Sequence, residues 1–158
     1  MSKVKVAIVG LGFGKEFIPI YQKSSDSEVV AICQRNEKRL NEIGDEFGIK
    51  NRFTNWEDLL KIDMIDAVHI VTPILDHAKM TIAVLESGKH CASTVPMGTT
   101  IDELKDIIRA KKKAKKVYMM METAVYTREF LYAKELVNSC LHHHINLFCF
   151  FLSPDYVL

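Results

Sequence analysis

Val4-Lys5-Val6-Ala7-Ile8-Val9 runs directly into Gly10-Leu11-Gly12-Phe13-Gly14-Lys15, and the reading of this stretch decides the fold. Its first half is a short run rich in β-branched residues, as in a strand covered on both faces. Its second half is a glycine-rich turn that opens a helix expected over 14–23. In a dinucleotide site, the first glycine permits a tight turn and the second lets a pyrophosphate approach the backbone. The phosphates then lie against free N–H groups at the helix start. Glycine pairs alone are a weak signal, and position directly after the first strand gives this one its weight.

Working outward, strand and helix patterns alternate. A strand is expected over 28–33, then a helix over 37–47 with Leu40, Ile43 and Phe47 on one face and Gly48 as its cap. A short helix at 56–60 follows Thr54 or Asn55. The third strong strand, 67–71, is stopped by Thr72-Pro73. Helix 77–87 is capped by Gly88 and followed by a strand at 90–93. Thr100 and Glu103 form a capping box for a helix over 100–115. A strand at 117–121 and a helix at 128–138 complete the pattern. Strands alternating with helices of ~10–15 residues specify an α/β fold, a doubly wound parallel sheet of the Rossmann type.

Lys and Arg total 21 against 20 Asp and Glu, a net charge of +1. That balance argues for no nucleic-acid partner and no anionic membrane. Apolar runs are far shorter than the ~20 residues of a spanning helix, and 1–5 lacks the pattern of a signal peptide, so a cytoplasmic protein is expected. Cys33, Cys91, Cys140 and Cys149 form no Cys-x-x-Cys pair; they read as apolar fillers, with no metal site expected. The lysine run at 111–116 reads as the solvated end of a helix, where cations suit the dipole.

Three features of the nucleotide site remain to be assigned. The usual third glycine would fall at residue 15, which is Lys15, with Gly14 one place early. Looser packing of helix on strand, or a turn shifted by one residue, would follow. At the end of the second strand, where an acidic residue selects NAD, stand Gln34 and Arg35. Gln34 does not repel a 2′-phosphate and Arg35 can pair with one, a slight tilt towards NADP, although Glu37 is near enough to serve the ribose. Glu122, Tyr126 and Arg128 follow the last strand and are candidates for a substrate pocket, or else helix-start residues making caps and surface pairs.

The chain resembles the Gfo/Idh/MocA family of sugar and inositol oxidoreductases. The resemblance rests on Gly10-Leu11-Gly12, Ala67 through Thr72-Pro73 with His77, Gly88-Lys89-His90, and Pro96-Met97, in that order. It spans about 3–138 and implies the family's cofactor domain, with hydride transfer between nicotinamide and a sugar or cyclitol hydroxyl. By the resemblance Phe13 belongs with the glycine turn, and Thr72 and Pro73 border the nicotinamide ribose. His77 begins the next helix, and Thr94 and Pro96 stand at the family's Glu-Lys-Pro position. Its lysine is Val95 here, which can neither donate a proton nor hold a charge. Pro96 is a candidate for a rigid turn, with a cis bond as one option.

The reading therefore divides the chain into a Rossmann domain at 1–138 and an atypical apolar tail at 139–158, with the family's second, substrate-binding domain missing. The composition shift at Cys140 suggests a truncated product, weak or inactive alone. His142 to His144 read as a solvated turn, because neighbouring side chains point apart. The run Phe148 to Leu152 is expected to pack on the sheet edge or on a second copy, making a homo-oligomer the expected state. Two other functions stay open. One is a non-enzymatic NAD(P)-binding module associating through the tail. The other is a lyase or hydrolase that uses NAD as a bound redox helper.

Overall fold

The computed structural model describes residues 2–140. The expectations for His142 to His144 and for Phe148 to Leu152 lie outside the described residues.

The alternating pattern folds as expected, with strands β1 (Val4–Val9), β2 (Ser27–Cys33), β3 (Asn51–Phe53), β4 (Ala67–Ile70), β5 (His90–Thr94) and β6 (Tyr118–Met121). Helices α1 (Ile18–Lys23), α2 (Glu37–Glu46), α3 (Trp56–Leu60), α4 (His77–Glu86), α5 (Ile101–Ala114) and α6 (Arg128–Cys140) connect or follow them. All strand pairs are parallel, in the order β3-β2-β1-β4-β5-β6. β1 is therefore flanked by β2 and β4, and the connections diverge on either side of it. That divergence opens a crevice at the carboxyl ends of β1 and β4.

Both faces of the sheet are covered, which explains the continuous apolar strands. One core gathers Ala7, Val9, Ile70, Val84, Leu85, Ile107 and Tyr118; the other gathers Ile8, Leu11, Phe17, Ile18, Ile32, Leu40 and Ile43. Ala7 and Ile8 are neighbours in β1, so strand alternation sends them to opposite cores.

Local signals set most boundaries. Asn36 and Asn55 cap α2 and α3 by accepting from the amides of Arg39 and Glu57. Both halves of the Thr100–Glu103 capping box form at α5, and hydrogen bonds from Thr99 and Thr100 hold the Glu103 carboxyl below its ordinary range. α6 runs to Cys140, two residues past the boundary expected at Asn138. The lysine run closes α5, with Lys115 in the left-handed region at φ 54°.

Two features were not anticipated. β3 is only three residues long, and Arg52 anchors it by donating to the Ile49 carbonyl (2.8 Å) and pairing with Asp45 (2.6 Å). The helix expected over 14–23 is divided. A 3-10 turn over Gly14–Phe17 precedes the six-residue α1, so few peptide dipoles align behind the glycine turn.

Candidate functional site

Gly10 ends β1 with φ +93° and lies so close to β4 that a Cβ there would stand 2.3 Å from the Val71 carbonyl oxygen. Only glycine accepts both conditions. Gly14 supplies the close packing of turn on sheet, since a Cβ there would lie 3.1 Å from Ile8 Cγ2. The glycine one place early thus takes the role expected of residue 15, and the expected looser packing does not occur. A Cβ on Gly12 would meet nothing within 4 Å. Its backbone faces open space.

That space is a cleft of about 540 Å³. It is lined along β1 by Val9, Gly10 and Gly12, on the β2 side by Cys33, Gln34, Arg35, Thr54 and Trp56, and on the β4 side by Val71, Thr72, Pro73, Asp76 and Met80. No backbone acceptor, among the described residues, takes the amides of Gly12 or Phe13. No side chain caps the turn that follows Phe13. An opening turn with unsatisfied N–H groups, beside a glycine that leaves room, suits an anionic group such as a diphosphate. Because the helix behind is short, the loop amides supply this attraction more than a macrodipole does. The residues present fit a dinucleotide.

The β2 side is polar and cationic. The Gln34 backbone amide donates to the Phe53 carbonyl (3.0 Å), which fixes its backbone, and Arg35 is exposed with no partner among the described residues. Glu37 is exposed in the first turn of α2 and does not line the cleft. Burial pushes the Cys33 thiol up to about 11, so at neutral pH it is a neutral wall and not a nucleophile.

The remaining sequence candidates sit away from this volume. Phe13 is 58% exposed and packs edge-on against Phe17, outside the lining. His77 is buried, 1% exposed, with Nδ1 2.7 Å from the Pro96 carbonyl oxygen and Nε2 2.8 Å from that of Thr72. It stands behind the cleft wall, not at its surface. Thr94 donates to the Ile70 carbonyl (3.4 Å), and the Val95–Pro96 bond is cis. The Glu122 carboxylate accepts from the Ala124 amide (2.8 Å), capping a 3-10 turn over Thr123–Tyr126. Tyr126 is exposed, Arg128 begins α6, and neither reaches the cleft. These residues share the carboxyl edge with the cleft, one or two strands away.

Sequence reasoning missed Thr54, Trp56, Asp76 and Met80 as lining residues. Thr54 follows β3, which was too short to recognise. Trp56 was visible as the one tryptophan, in a polar stretch. Met80 offered no signal, being one apolar residue among several in a helix. No cluster of three or more metal-ligating side chains occurs among the described residues, and none of their helices is long and apolar enough to cross a membrane.

Strand order, glycine turn and switch-point cleft together define a Rossmann dinucleotide-binding domain. The sequence model of the Gfo/Idh/MocA oxidoreductase family, NAD-binding Rossmann fold, matches residues 4–122, and the chain belongs to that family. A Glycosyl hydrolase family 109 protein from Shewanella baltica is 33% identical over 147 residues, covering 87% of this chain and 32% of that protein. The myo-inositol 2-dehydrogenase of Lactobacillus plantarum superposes with a TM-score of 0.80 at 26% identity, covering 87% of this chain and 42% of that one. The scyllo-inositol dehydrogenase of Lactobacillus casei, solved with NAD(H) and scyllo-inositol, gives 0.78 at 25% identity with the same coverages. The chain thus spans about a third of the length of the Shewanella baltica relative.

Proposed function

We propose that the cleft holds NAD or NADP in the service of redox chemistry on a sugar or cyclitol hydroxyl. The observation that carries this reading is Gly12, whose missing side chain leaves the cleft open beside amides that no backbone group takes. The diphosphate lies over Gly10 to Gly14, with the adenosine half between Gln34, Arg35 and Trp56. The nicotinamide half lies on the β4 side, along Thr72 and Pro73. Bound there, the nicotinamide supplies or accepts a hydride. The chain's own residues position it and keep water from one of its faces.

No described residue is assigned the proton transfer. Val95 has no titratable group, and the Glu122 carboxylate is engaged as a cap. Glu122, Tyr126 and Arg128 stand at the same sheet edge, where they can border a polyol. A second reading, a hydrolase using NAD as an internal redox helper, is favoured by the similarity to the relative named a Glycosyl hydrolase family 109 protein.

Fluorescence titration with NADH and NADPH tests the site. NADPH binding at least tenfold tighter, about 1.4 kcal/mol, supports the role of Arg35 on a 2′-phosphate. Tighter NADH binding removes the tilt to NADP, and binding of neither removes the reading. Titrated protein incubated with inositols, sugars and aryl glycosides then separates the functions. Net nicotinamide reduction marks the dehydrogenase, glycoside cleavage without net reduction the hydrolase, and no turnover the module.

A further inference from the structure

His77 meets two acceptors. Its Nε2 lies 2.8 Å from the Thr72 carbonyl oxygen and its Nδ1 2.7 Å from that of Pro96. A carbonyl oxygen only accepts, so a ring N–H donates to one of the two, and the ring as a whole is wedged between both. At 1% exposure, water cannot replace either contact.

The two acceptors lie on different loops. Thr72 follows β4 and, with Pro73, lines the cleft; Pro96 follows β5 and does not. The ring itself belongs to the first residue of α4, the helix that also supplies Met80 to the wall, and Thr72 Oγ1 donates to Met80 Sδ (3.4 Å). Besides this ring, among the described residues, only the 3.4 Å contact from Thr94 to Ile70 ties the end of β5 to the end of β4 through a side chain.

We infer that His77 is a positioning residue whose buried ring bridges the loops that carry the Thr72 and Pro96 carbonyls and so holds the β4-side wall of the cleft in place. The inference rests on the nucleotide reading proposed above. Because the adenosine half of a dinucleotide lies on the β2 side, the bridge matters to the nicotinamide half alone.

Titrations of the full chain with NADH and with ADP test it by comparing wild type with His77→Gln, which lacks the ring that spans the two loops. NADH binding weakens at least tenfold while ADP binding stays within twofold. Equal weakening of both, or of neither, shows a merely structural histidine and overturns the positioning role. A wild-type chain that binds neither ligand sinks the nucleotide reading, and the positioning role with it.

Discussion

A methyl group on Gly10 would sit 2.3 Å from the Val71 carbonyl oxygen, whereas one on Gly12 would touch nothing. Two glycines of one motif therefore answer to different demands, the first to packing against β4 and the second to the open cleft. Gly10→Ala forces a side chain into the φ +93° region and against β4, and stability falls by about 2–4 kcal/mol in urea unfolding. Gly12→Ala leaves the unfolding midpoint nearly unchanged and weakens NADH binding at least tenfold, because the methyl occupies the space left for the diphosphate. Unchanged NADH affinity in Gly12→Ala would place the nucleotide elsewhere. The motif showed where three glycines fall, but not which had a neighbour in space.

Between α1 and the sheet, packing sets a pH limit on the fold. His69 of β4 is wholly buried beneath Phe17 and Tyr21, with ring centroids 4.6 Å and 5.9 Å away. Its Nδ1 lies 3.3 Å from the Tyr21 hydroxyl and its Nε2 has no hydrogen-bond partner among the described residues. Burial lowers its pKa from 6.5 to about 4, so the folded ring stays neutral while the unfolded ring takes a proton near pH 6.5. The stability this group permits is complete above pH 6.5. It is lost as pH falls from there to about 4, for a total on the order of 3 kcal/mol. His69→Phe keeps a ring in place and removes the titration, so its stability difference between pH 7 and pH 5 shrinks by about 2 kcal/mol. An identical acid limb in wild type and variant would assign the loss to other groups. The strand was legible in Val-His-Ile-Val; the histidine's burial was not, because its cover comes from a helix distant in sequence.

Across the whole molecule, alternation of strands and helices was readable because each element carries its own period, cap and stop. Asn36, Asn55, Thr100 and Glu103 act within a few residues of themselves, and the structure uses each as a cap. β3 escaped notice because three residues cannot show a period, and its anchor, Arg52, works through contacts with α2. By itself the sequence determined the α/β class, most element boundaries and the place of the glycine turn, since those follow from local backbone preference and side-chain spacing. Only the tertiary structure decided that Gly14 does the packing expected of residue 15, that Thr54, Trp56 and Asp76 complete the cleft, and that His77 stands behind its wall. Those outcomes depend on which strand ends lie side by side, a through-space relation that no local spacing encodes.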